Sequence, residues 1–356
     1  MAEVRPFAAL RYDVERAGPL ETLVAPPYDV LSESERAAYL ERSPYNVVHL
    51  TLPESDERAG ADFRAWREQG VLRHEDASFW ALEQQYVGPD GVERIRRGIV
   101  VSLKAEPYET RTVLPHERTH REVREGRLRL VTAVDAQLEP IFLLYEGPPP
   151  VSRGEGDPDL EVEGTRLWRL PEVDAVVEAF SDRTLLIADG HHRYETTVEY
   201  AQRGGSPWMM VVLVSTSDPG LTIFPTHRIA ERFDVGNGFV VAQNGAGNPI
   251  AALDALPPDR AGAVVYTRGR VAVAEGEPGQ LDTQLVEALG PEGVTYTADA
   301  TEAVAAVDEG RAAAAFLLRP TRIEDVFEFA RRGEVLPQKT TYFYPKLLSG
   351  LLFHPL

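Results

Sequence analysis

Leu185-Leu186-Ile187-Ala188-Asp189-Gly190-His191-His192-Arg193-Tyr194 is the stretch on which the fold turns. The apolar run predicts a buried strand over Thr184 to Ala188, and Arg193 to Gln202 continues as a helix. A strand that passes through Asp-Gly straight into a helix leaves the first N–H groups of that helix aimed into the turn, where an anion would be held. Gly190 permits close backbone approach, while His191, His192 and Arg193 add cationic or hydrogen-bonding groups where phosphates would lie. The plainer alternative is an Asp-Gly turn that caps a helix and carries two exposed histidines.

Working outward, Pro171 to Phe180 predicts a helix with proline at its start, and Met209 to Ser215 and Leu221 to Pro225 predict strands around a turn at Ser217-Asp218-Pro219-Gly220. Upstream, Pro140 to Tyr145 is a buried strand, Thr119 to Val134 a charged helix, and Phe79 to Val87 with Glu93 to Leu103 a hairpin across Pro89-Asp90-Gly91. A helix fits Glu54 to Gln69. Ser32 with Glu35 forms a capping box for a helix over Glu33 to Arg42, and Val47 to Leu52 is expected as a strand. From about Gly236 to Pro320 the composition shifts to Ala, Gly and Val, and a Thr321/Glu324 capping box predicts a last helix through Arg332, closed by Gly333.

The expected class is therefore α/β (α+β). A core with an N-terminal region spans 1–235, an additional α/β subdomain spans 236–332, and an aromatic tail at 333–356 packs back on the core.

Composition narrows the chemistry. The absence of cysteine excludes disulfides, thiolate zinc sites and cysteine nucleophiles. A net charge of -19 opposes broad binding to nucleic acid, leaving small anions in a local basic pocket as the natural charged ligand. No run approaches the roughly 18 apolar residues of a membrane span, and the N-terminus has no basic start and apolar stretch of a secretory signal, so a cytoplasmic protein is expected. Of 37 basic residues only Lys104, Lys339 and Lys346 are lysine. Two of them bracket Thr340, Thr341, Tyr342 and Tyr344, so this tail either closes over a bound nucleotide or is a packed aromatic segment with two solvated ammonium groups.

Other clusters bear on catalysis. Leu114-Pro115-His116-Glu117-Arg118-Thr119-His120 matches the His-Glu-x-x-His pattern of zinc hydrolases, but Pro115 places it at a helix start rather than inside one. The favoured role is Glu117 as a carboxylate base oriented by His116, against an ordinary polar first turn. Phe224-Pro225-Thr226-His227-Arg228 joins Thr226, His227 and Arg228 at a strand end, as a phosphate or carboxylate site or as an ordinary terminus. Ala25-Pro26-Pro27-Tyr28-Asp29-Val30 offers Asp29 in a rigid turn, as a second candidate base or a structural turn residue.

The ordered set of these motifs, together with Pro44-Tyr45-Asn46 and Lys339 to Lys346, resembles the bacterial and archaeal domain-of-unknown-function family numbered 1015. The Asp-Gly-His-His-Arg segment is also remotely similar to the nucleotide-binding box of the ParB/sulfiredoxin superfamily, which includes free-serine kinases with a catalytic Glu well upstream. That resemblance implies a ParB/sulfiredoxin-like nucleotide-binding core with an N-terminal elaboration. It further implies a phosphotransferase using ATP or ADP with Mg²⁺ on a small hydroxyl metabolite such as free serine, with Glu117 as base. Asp189 to Arg193 would hold the nucleotide, and Arg228, Lys339 and Lys346 would meet phosphate or substrate. Lack of cysteine removes the sulfiredoxin reaction, and the charge opposes a DNA clamp. Two other classes remain open: a nucleotide-binding regulator without turnover, and a metal-dependent hydrolase using the histidines.

Overall fold

In the computed structural model, residues 2–151, 154, 156–171, 173–234 and 247–356 are described. By internal contacts the chain forms two units, Met1–Gly88 with Glu93–Leu221 and Pro345–Leu356, and Pro89–Val92 with Thr222–Tyr344. The expected boundary at 235/236 lies outside the described residues.

The first unit is built on a nine-stranded mixed sheet. From one edge the strands run Val113–Leu114, Leu185–Asp189, Ile141–Tyr145, Trp208–Ser215, Glu93–Lys104, Phe79–Val87, Thr165–Leu170 and Leu160–Val162, with Val4–Arg5 also on Glu93–Lys104. Leu185–Asp189 is parallel to Val113–Leu114 and antiparallel to Ile141–Tyr145. The site strand thus has a neighbour on both sides. Central strands read as continuous apolar runs because both faces are covered. On one face Ile99, Val101, Leu143, Ile187 and Val211 pack with Val176, Phe180 and Tyr194. On the other, Leu347, Leu351 and Leu352 line a small cavity with Leu82, Val100 and Met210.

Two helices show why local pattern became tertiary contact. Asp56–Glu68 buries Ala59, Gly60, Phe63 and Trp66, one stripe at helical spacing. A Cβ on Gly60 would meet the Ala133 carbonyl oxygen at 2.3 Å, so glycine lets this helix approach Arg121–Val134 closely. The capping box at Ser32 and Glu35 forms, and Phe79–Val87 pairs with Glu93–Lys104 as the expected hairpin, Val87 opposite Glu93. The segment expected as a strand at Val47 to Leu52 is instead a helical turn, Val48–Thr51. Asn46 decides it: its Oδ1 accepts the Val48 N–H at 3.0 Å while its Nδ2 donates to the Thr22 carbonyl at 2.8 Å, and that local cap outweighs β propensity.

The second unit carries a five-stranded antiparallel sheet in the order Arg270–Glu275, Gly262–Thr267, Ala314–Leu317, His227–Arg232, Glu292–Thr297. Alternation sends Ala263 and Val265 toward Leu285 and Val286, and Val264 and Tyr266 toward Ala303 and Val307. Each face therefore packs on its own helix, Asp282–Leu289 or Ala300–Asp308. The last helix, Ile323–Arg332, ends at Gly333 with φ +73° as expected, but no capping box opens it: Arg322 is the N-cap and the Thr321 hydroxyl donates to the Thr340 carbonyl. No helix among the described residues is long and apolar enough to cross a membrane.

Candidate functional site

Strand Leu185–Asp189 reaches Gly190 at φ +97° and enters helix His191–Gln202 at once. Only glycine fits, for two reasons: the backbone is left-handed, and a Cβ would lie 2.6 Å from Ile141 Cγ2 and 3.1 Å from Arg193 Nη2. The helix start thereby presents its first-turn amides at the C-terminal end of this strand, with the positive end of the helix dipole behind them.

Asp189 is the charge centre. Its Oδ2 accepts from Arg193 Nη2 at 2.8 Å and its Oδ1 from Lys346 Nζ. Burial alone would raise the carboxyl, but Lys346 and Arg193 outweigh it and hold the pKa down at about 2. Burial works against the Lys346 ammonium, which Asp189 and Asp29 more than offset, so it stays charged. Arg193 also donates to the Pro140 carbonyl at 2.6 Å. Its charge is opposed by burial and favoured by Glu139, Asp189 and Asp29. Asp29 is exposed in the turn Tyr28–Val30 and acts electrostatically on Lys346, Arg193 and His192, which puts it beside this cluster.

The histidines do something other than supply charge. His191 Nε2 accepts the His116 N–H at 3.3 Å, and His192 Nε2 accepts the His120 N–H at 2.9 Å. An accepting Nε2 assigns each ring as neutral, with its proton on Nδ1. Burial favours that state, pushing His116 to about 4, His191 well below its usual value, and His192 downward with help from His120. Of the two roles the sequence left open, cationic or hydrogen-bonding, the rings take hydrogen-bonding positions here: both side chains fasten the 115–120 loop to the helix. Thr119 adds a third tie through Glu195 at 2.6 Å. The loop carries Glu117, whose Oε2 lies 3.9 Å from His191 Nδ1 and whose side chain is 34% exposed. His116, Glu117 and His120 precede helix Arg121–Val134, with His120 as its N-cap, so the His-Glu-x-x-His match does not have the one-face helical spacing that zinc hydrolases use.

Two residues that sequence reasoning missed hold the site in place. Glu139, 5% exposed, accepts from the Tyr28 N–H at 3.1 Å and the Ser349 hydroxyl at 2.7 Å, anchoring both the Asp29 turn and the Lys346 segment. Arg96, fully buried, donates to the Pro345 carbonyl at 2.7 Å, the peptide just before Lys346. Glu139 had a signal, an acidic residue at the lip of the apolar run Ile141 to Leu144; Arg96 lay among several arginines of one strand and had none.

Thr226, His227, Arg228 and Lys339 belong to the second unit, whereas Lys346 belongs to the first. His227 Nδ1 accepts the Leu318 N–H at 3.1 Å, and burial holds it at about 4. Arg228 donates to the carbonyls of Thr226, Gln338 and Lys339. Lys339 itself adopts φ +54°.

The family described as "Protein of unknown function (DUF1015)" matches residues 4–242, and the chain belongs to it. Among solved structures, a free serine kinase in complex with AMP is 15% identical with a TM-score of 0.42, over 71% of this chain and 92% of that one. A conserved hypothetical protein from Pyrococcus furiosus is 16% identical at a TM-score of 0.40, over 71% and 95%. SbnI with C-terminal truncation from Staphylococcus aureus is 12% identical at 0.38, over 67% and 82%. No curated protein matches the sequence.

Proposed function

We propose that this member of the family is a nucleotide-dependent phosphotransferase with a ParB/sulfiredoxin-like core, moving a phosphoryl group between ATP or ADP and the hydroxyl of a small metabolite, free serine being the first candidate. One observation carries the proposal: a strand-turn-helix anion cradle with Lys346 at its mouth, clamped through His191 and His192 to the loop that bears Glu117. The choice of serine draws on the resemblance of the Asp189 to Arg193 box and of Pro115-His116-Glu117 to the corresponding motifs of free-serine kinases.

In this scheme the first-turn amides and Lys346 neutralise the phosphates, and Asp189 keeps Lys346 and Arg193 in position. Glu117, or Asp29 in its place, takes the hydroxyl proton as the oxygen attacks phosphorus and the bond to the leaving phosphate oxygen breaks. Mg²⁺ arriving with the nucleotide would supply further neutralisation of the phosphates. Both oxygens of Asp189 are taken by cations, so the exposed carboxylate of Asp29 fits that ion better. Phosphoryl transfer asks little covalent help of a protein, and a preorganised, water-poor cradle suits it.

Incubating the full chain with serine, Mg²⁺ and ATP or ADP should yield phosphoserine. Glu117→Gln should lower turnover at least ~100-fold while nucleotide affinity is kept. Full turnover in that variant moves the base to Asp29. Nucleotide binding without phosphoserine in either direction replaces transfer by a regulatory role, and no nucleotide binding removes both.

A further inference from the structure

Within the second unit, strand His227–Arg232 pairs with Glu292–Thr297 so that Arg228 stands opposite Tyr296. The guanidinium lies 5.5 Å from the Tyr296 ring centre and is 4% exposed. It donates to three carbonyls, which use at most three of its five N–H donors, and no carboxylate among the described residues is hydrogen-bonded to it. Burial lowers the pKa to about 10, against the pull of Tyr296 and Glu287, so the group remains a cation at neutral pH. A buried cation with no hydrogen-bonded carboxylate is costly and is normally matched by an anion.

Arg228 lines a cleft of about 290 Å³ together with Thr283, Val286, Glu287, Val294 and Tyr296. The volume suits a ligand of amino-acid size, at the small end of natural sites. The same cleft is lined by Glu287, exposed on helix Asp282–Leu289 and electrostatically felt by Arg228, so both signs of charge are present. Val286, Val294 and Tyr296 add apolar and aromatic lining. A multiply charged phosphate would meet Glu287 with like charge, whereas a zwitterion whose two charged groups share one carbon satisfies both residues.

We infer that this cleft binds a free α-amino acid with an apolar or aromatic side chain, its carboxylate on Arg228 and its ammonium on Glu287. The site stands apart from the Asp189 cradle in residues and chemistry, and its occupancy requires neither nucleotide nor turnover.

Calorimetry on the full chain without nucleotide tests this with L-phenylalanine, which has no hydroxyl to phosphorylate, so the result is independent of the proposed transfer reaction. Saturable binding is expected, with 3-phenylpropanoate, which lacks the ammonium, and 2-phenylethylamine, which lacks the carboxylate, each about tenfold weaker or worse. Glu287→Gln, an exposed position that should fold normally, is expected to weaken L-phenylalanine about tenfold and leave 3-phenylpropanoate no weaker. Arg228→Gln should abolish binding of both. No saturable binding of L-phenylalanine or L-leucine, unchanged affinity in Glu287→Gln, or displacement of the amino acid by inorganic phosphate at lower concentration would overturn the inference.

Discussion

Asp189, its side chain 15% exposed, and Arg228, 4% exposed, are charges at the ends of strands, and the chain treats them differently. Asp189 receives Lys346 and Arg193, one cation on each oxygen, whereas Arg228 receives only carbonyl oxygens. The first region is electrostatically complete before any ligand arrives, which fixes geometry in advance; the second keeps unspent charge, which favours a counter-ion from outside. Completeness and incompleteness predict different costs of removal. Asp189→Ala strands two cations in a site from which water is largely excluded and should lower stability by about 3–5 kcal/mol. Tryptophan fluorescence in urea reads this directly, since Trp66, Trp80, Trp168 and Trp208 all belong to the first unit. Arg228→Met leaves carbonyls without donors but no orphaned charge, so about 2 kcal/mol is expected from the circular-dichroism transition. Equal losses would mean that Asp189 is not the hub of its cluster.

The same contrast applies to backbone. Gly190 combines a left-handed φ with a Cβ position 2.6 Å from Ile141, while Gly269 in the second unit has φ +74° and open space around it. Gly190→Ala should therefore cost about 2–3 kcal/mol, conformational strain plus overpacking, and Gly269→Ala about 1 kcal/mol, strain alone. Gly190→Ala should also weaken nucleotide binding, because relief of the clash must displace the helix start. If both glycines cost the same, the close approach at Ile141 is not what selects glycine.

How much of this was legible in the sequence depends on how local the information is. The strand-turn-helix, the long hairpin and the capping box at Ser32 rest on periodicity and on residues three or four apart, and they were read correctly. The turn at Val48 to Thr51 was not, because its apolar residues look like a strand until Asn46 is seen to cap it while reaching back to Thr22. Thr321 similarly looked like a cap, yet its hydroxyl serves Thr340, nineteen residues on. At the site, residue types were visible and their long-range partners were not. The Nε2 atoms of His191 and His192 meet backbone amides of a loop more than seventy residues earlier. The two clustered lysines looked like one device, and the division into units assigns Lys339 and Lys346 to different bodies. Glu139 and Arg96 anchor the site through hydrogen bonds to residues more than a hundred positions away, which one sequence does not display.

Histidines supply the finest test of the comparison. His116 and His354 in the first unit and His227 in the second are all held at about 4, in each case chiefly by burial. His191 and His192 are also depressed, so the first unit carries most of these groups. A folded-state pKa below the unfolded value of about 6.5 means that the unfolded chain takes up a proton first as pH falls. Stability is therefore intact above about 6.5 and declines toward 4, by about 1.4 kcal/mol per pH unit for each fully depressed histidine once the pH is well inside that window. Between pH 6 and 5 the tryptophan-detected transition should lose at least about twice as much free energy as the transition of the second unit, whose single contribution His227→Gln would remove. Parallel slopes in the two units would show that the neutral histidines of the 115–120 clamp do not govern the stability of the site they hold.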